Sequence, residues 1–109
     1  MQRYCLTLDL KDDSALIAEY EAYHQKIWPE IEKSILDSGI ISMQIFRLNT
    51  RMFMIIDAKD DFSFEAKAKA DAENVKVQEW EALMWKYQEA LPEAKNGEKW
   101  MLMKEIFSI

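Results

Sequence analysis

Residues 40–58 read IISMQIFRLNTRMFMIIDA: two β-branched and apolar runs, 40–48 and 52–58, joined only by Asn49, Thr50 and Arg51. So short a polar join between two such runs predicts an antiparallel hairpin. In the first run Ile41, Met43, Ile45 and Arg47 alternate with Ser42, Gln44, Phe46 and Leu48. Both faces of that strand should therefore be mostly covered.

Before the hairpin, Leu16, Tyr20, Tyr23, Ile27, Ile31 and Ile35 keep helical spacing to about Asp37. Asp13 or Ser14 can cap the start, and Gly39 is placed to end the helix in a left-handed conformation. Pro29 lacks a backbone donor and crowds the carbonyl of Gln25, so the helix should bend or restart there. Earlier still, Tyr4, Leu6, Leu8 and Leu10 alternate with Arg3, Cys5, Thr7 and Asp9, the pattern of a half-buried strand.

After the hairpin, residues 62–72 are rich in Ala and Lys and read as a solvated helix. A further helix carries Val77, Trp80, Leu83, Met84, Tyr87 and Leu91 at three- and four-residue steps and ends at Pro92. A loop with Asn96-Gly97 leads to a last strand over 99–109, largely apolar on both faces. The order is βαββαβ: an α+β fold with one antiparallel sheet backed by helices on one face, the ferredoxin-like arrangement. A sheet apolar on both sides needs a second layer, which a second copy of the chain would supply. The expectation is one domain over 1–109 forming a homodimer through the sheet face, a dimeric α/β barrel.

The chain has 109 residues and a formal net charge of -6, with its 14 Lys and Arg scattered among carboxylates. Such a surface disfavours nucleic acid and anionic membranes as partners. Cys5 is the single cysteine and His24 the single histidine, so an internal disulfide and a catalytic transition-metal cluster are not expected. No basic segment leads into a long apolar run at the start, and a cytoplasmic protein is expected.

Residues 20–30, YEAYHQKIWPE, hold that histidine. Tyr20, His24 and Trp28 recur every four residues, a ladder of polar-tipped aromatic groups on one helix face. His24 has the unperturbed pKa that suits proton transfer near neutrality. A lone His among aromatics is more often a packing residue, and spacing alone favours that reading.

The same residues resemble the Y-x-x-x-H-x-x-x-W-P-E motif of the L-rhamnose mutarotases, and the resemblance continues through VQEW at 77–80, GEKW at 97–100 and the ending EIFSI. It implies a small cofactor-free dimer of ferredoxin-like α+β fold that interconverts the α and β anomers of a deoxy-aldohexose. By that resemblance His24 corresponds to the proton donor, Tyr20 to a sugar-contacting residue, and Trp80 to the first of two adjacent tryptophans lining the sugar pocket. Trp28 would offer a second apolar ring face. Two positions depart from the pattern: Glu81 stands where the second tryptophan would be, and Met43 aligns with a tyrosine on the second strand. Glu81 could bind a sugar hydroxyl or serve as partner to His24. The monosaccharide could then be L-rhamnose or a close relative such as L-fucose. Two other readings stay open on the same fold: a cofactorless oxygenase, and a non-catalytic sugar-binding or regulatory module.

Overall fold

Leu6, Leu8 and Leu10 are 7%, 0% and 2% exposed, and this alternation along the first strand fixes which side of the sheet carries the core. The computed structural model describes residues 1–109. In chain order the elements are β1 (Gln2–Leu10), α1 (Ser14–Gln25), α2 (Pro29–Asp37), β2 (Ile40–Leu48), β3 (Arg51–Ala58), α3 (Phe64–Ala72), α4 (Val75–Met84), β4 (Gln88–Glu89) and β5 (Met101–Leu102). The sheet is antiparallel in the order β2-β3-β1-β4, with β5 also pairing β1. This is the α+β, ferredoxin-like plan expected from the sequence.

The hairpin forms with Leu48 opposite Arg51, so Asn49 and Thr50 alone make the turn. Asn49 has φ 54, a left-handed value that its short polar side chain tolerates better than most. Across β3 and β1 the register sets Leu8 against Met52, Leu6 against Met54 and Tyr4 against Ile56. Met52, Met54, Ile56 and Ala58 are buried with the β1 leucines, so one face of the sheet is closed by the helices. Within one chain only the inner face of β2 meets the helices, and its outer face has no covering layer. Phe46 and Leu48 are 52% and 82% exposed there.

Asp13 caps α1, its side chain accepting from the backbone N–H groups of Ala15 and Leu16. Pro29 produces a restart rather than a bend: α1 ends at Gln25, Trp28 is extended at φ -61 and ψ 137, and Pro29 opens α2. Proline forbids the helical conformation to the residue before it and needs no donor in a first turn, so break and restart have one cause. Gly39, at φ +100, ends α2 as expected. Ser63 caps α3, which begins after the buried Phe62 rather than at it.

Two expectations at the C-terminal end are corrected. The helix carrying Val77 and Trp80 stops at Met84, so Tyr87 and Leu91 lie beyond it, and Gln88 and Glu89 form β4 against Leu10 and Asp9. Of the expected last strand only Met101 and Leu102 pair, with Thr7 and Leu6. β4 and β5 divide the same edge of β1, and Met103 adds one more backbone bond, to the carbonyl of Cys5. Ile106, Phe107 and Ile109 have no partner strand and are exposed.

Leu8 and Met52 lie at the centre of a cluster with Tyr20, Ile31, Val77, Trp80, Met84 and Tyr87. Truncating Leu8 should leave a cavity there and cost about 2–5 kcal/mol. Urea unfolding of Leu8→Ala should show this loss, whereas Leu48→Ala at the exposed turn should stay within about 0.5 kcal/mol of the parent.

Candidate active site

Where the restarted helix pair meets α4 above the sheet, a cavity of about 330 Å³ opens. Tyr20 and His24 of α1, Trp80 and Glu81 of α4, and Met43 of β2 all line it, over a floor that includes Leu6, Met54 and Ile56. Five of the six positions singled out in the sequence therefore share one wall system. Trp28 does not line the cavity. It packs edge-on against Trp80 at 5.1 Å between ring centres and braces it from behind. The aromatic ladder thus ends at His24, because Trp28 lies outside α1.

His24 sits in the last turn of α1 with its Nδ1 2.8 Å from the carbonyl oxygen of Tyr20. A carbonyl can only accept, so Nδ1 carries the hydrogen and the neutral ring keeps its lone pair on Nε2. The ring lies 4.4 Å from that of Tyr20 and 5.7 Å from that of Trp80. Burial pushes the His24 pKa below its ordinary value, partly opposed by the bond to the Tyr20 carbonyl. At neutral pH the ring is therefore mainly neutral and can accept a proton. Tyr20 and His24 also border a second groove, lined by Glu21, Phe46 and Arg47 among others.

The Tyr20 hydroxyl accepts from Nε2 of Gln88 at 3.3 Å, and burial pushes its pKa up to about 12. It stays a phenol across the working pH range, with its own O–H available to donate. Gln88 is 4% exposed, and its side-chain oxygen has no partner. A buried amide oxygen without a donor costs roughly 1–3 kcal/mol, the kind of expense found at functional sites. Sequence reading missed Gln88, which falls inside the apparent helical repeat of Val77 to Leu91.

Two ion pairs complete the walls: Lys67 with Asp71 at 2.7 Å, and Lys99 with Glu81 at 3.0 Å. Glu81 is thus committed to Lys99, not to His24. Burial lowers the Lys99 pKa while Glu81 opposes the shift. Trp100 lines the cavity beside Lys99. The motif GEKW contains both residues, but no local signal marks them as facing a site formed elsewhere in the chain. No group of three or more His, Cys, Asp or Glu is placed to hold a metal ion, and no helix is long and apolar enough to cross a membrane.

Comparison with known proteins gives a consistent picture. A family model described as L-rhamnose mutarotase matches residues 3–109. An L-fucose mutarotase of Xanthomonas campestris pv. campestris is 45% identical, covering 100% of this chain and 89% of its own. A UPF0734 protein of Dictyostelium discoideum is 36% identical over 97% of this chain and 88% of its own. Among solved structures, an L-rhamnose mutarotase from Formosa agariphila superposes with TM-score 0.74 at 20% identity, covering 100% of this chain and 99% of that one. Tetracenomycin F2 cyclase from Streptomyces glaucescens, a type-II polyketide cyclase, does so with TM-score 0.60 at 18% identity. These two likenesses concern the fold, which carries unrelated chemistries, so the site must argue the reaction.

The lowered His24 pKa has a sign that can be tested. The native state binds less proton than the unfolded chain once pH falls toward 6.5, so His24 contributes a stability that is full above that pH and declines below it. NMR titration should place the His24 midpoint below 6.5. Urea stability of His24→Gln should lose less than that of the parent as pH drops through the same window.

Proposed function

Because the chain belongs to the L-rhamnose mutarotase family, a family of sugar isomerases, we propose that it interconverts the α and β anomers of L-fucose in preference to L-rhamnose, with His24 as acid and base. The preference for L-fucose is supported by the 45% identical relative of that name, and by Glu81 and Met43 at the two positions where the wall departs from the rhamnose pattern. The observation that carries the chemistry is the bond from His24 Nδ1 to the Tyr20 carbonyl, which leaves Nε2 free for proton traffic in an aromatic-walled cavity.

The reaction breaks the bond between C1 and the ring oxygen and remakes it on the other carbonyl face. His24 Nε2 takes the proton of the anomeric hydroxyl as that bond breaks, and the resulting imidazolium gives a proton to the departing ring oxygen. Both oxygens are attached to C1, so one nitrogen can serve them in turn. The open aldehyde rotates about C1–C2, and the reverse sequence closes the other anomer with no net change in protons. Such general acid-base work contributes about 10²- to 10⁴-fold. The Tyr20 hydroxyl donates to a sugar oxygen, and Trp80 offers its ring to the C–H face and methyl group.

We further propose that the protein is a homodimer through the outer sheet face, completing an α/β barrel. On that face the register groups Phe46, Phe53, Ile55 and Cys5. Ion pairs Arg3–Asp57 and Arg51–Asp9 flank this apolar centre, a pattern of apolar core and polar rim typical of interfaces.

NMR saturation transfer between the anomeric protons of L-fucose and of L-rhamnose tests the reaction. The protein should accelerate exchange, more for L-fucose, and His24→Ala should lose about 10²- to 10⁴-fold. Exchange by His24→Ala at the parent rate would remove His24 from the chemistry. Tyr20→Phe should cost about 0.5–1.5 kcal/mol of activation, one ordinary hydrogen bond. Sedimentation at micromolar concentration should give a dimer, and Phe46→Asp a monomer; a monomeric parent would contradict the buried sheet face.

A further inference from the structure

Nothing in the proton transfers above uses Glu81 or Lys99, yet both line the cavity beside His24 and Trp80. Lys99 reaches it from the segment just before β5, and its Nζ donates to the backbone carbonyl of Glu81 at 2.8 Å while lying 3.0 Å from Oε2 of the same residue. Its side chain is only 13% exposed, and the ammonium stands 4.7 Å from the centre of the Trp85 ring. A lysine side chain on a surface samples many rotamers; this one has already surrendered that freedom on folding. An ammonium has three N–H donors. One is spent on the Glu81 carbonyl, the Glu81 carboxylate pairs with the charge, and Lys99 makes no other hydrogen bond within the chain.

A largely desolvated ammonium with an unused donor gains strongly from a well-placed oxygen, and charge-assisted bonds of this type are about twice as strong as neutral ones. The charge balance of the wall says which oxygen. Lys67 is matched by Asp71 and Lys99 by Glu81, so the lining carries equal numbers of lysines and carboxylates. A phosphate or carboxylate on the sugar would have to approach Asp71 and Glu81 as well as the lysines, which repels it. A neutral hydroxyl meets no such penalty, and it can donate to Glu81 while accepting from Lys99.

We propose that Lys99 is a sugar-binding residue that donates to a hydroxyl remote from C1, with Glu81 holding its ammonium in place and accepting from a neighbouring hydroxyl. The pair would then select neutral deoxy sugars over anionic ones. This rests on the mutarotase reading given above. The proposal assigns this contact to uniform binding, made equally in the ground state and the transition state. It therefore acts on KM and leaves kcat alone.

Saturation transfer measured against sugar concentration, with L-fucose and with a neutral sugar's uronic acid counterpart, separates the possibilities. Lys99→Met should raise KM for L-fucose about 10- to 100-fold, with kcat within about 3-fold. Glu81→Gln should raise KM less, and should add less than its full effect in the Lys99→Met background, because it acts in part through the same ammonium. If Lys99→Met loses its cooperative melt, Glu81→Gln alone decides: KM must rise several-fold with kcat kept. Unchanged KM, a loss confined to kcat, fully additive effects, or a parent enzyme that turns over the uronic acid as well as L-fucose would overturn the proposal. A parent that accelerates neither sugar would overturn the mutarotase reading and this proposal together, so the two failures are distinguishable.

Discussion

The site depends first on what Pro29 forbids. Without a backbone donor and with its ring against the preceding residue, it prevents α1 and α2 from being one rod, and it forces Trp28 into an extended conformation. The helix therefore ends one residue after His24, and the imidazole lies in a terminal turn instead of mid-helix. There its Nδ1 satisfies itself on the Tyr20 carbonyl and its other nitrogen is left for substrate. A continuous helix would carry Trp28 onward along the same face, and it could not bring that ring against Trp80 from behind. The proline thus separates the two helices and, by holding Trp28 extended, goes with the placing of its ring against Trp80.

Much of the fold was legible because its signals are local. Alternation in β1, the Asp13 cap, the left-handed Gly39 and the tight hairpin each follow from a few adjacent residues, and each appears where the pattern puts it. The end of α4 was not legible, for a physical reason. Tyr87 is buried in the same core as Val77 and Trp80, and Leu91 is buried beyond it, so the apolar spacing continues although the backbone has left the helix for a turn and a short strand. The last strand misled in a different way. Residues 99–109 have the composition of a strand, but β1 offers one edge, and β4 already takes its far end. Composition states what a segment could pair with; topology decides what is left to pair.

The candidate site divides along the same line. Tyr20 and His24 are one helical turn apart and could be named from spacing, while Gln88 and Lys99 meet them only through the sheet and the closing segment. Trp28 was placed on the right side of the chain's chemistry but in the wrong layer, behind the wall and not on it. Glu81 gains its meaning from Lys99, 18 residues later. No reading of α4 alone could distinguish a solvated glutamate from one side of a cavity.

The divided edge of β1 carries a consequence for how a ligand gets in. Lys99 and Trp100 form part of the cavity wall, and the strand that anchors them is β5, two residues long. Backbone pairing does little there, and the segment is held instead by side chains: Lys99 by Glu81, and Trp100 by packing on both core clusters. The helical wall with His24 and Trp80 belongs to the main core. A ligand that enters and touches Lys99 and Trp100 therefore touches the groups that seal this sheet margin, so binding and closure of the margin are thermodynamically linked.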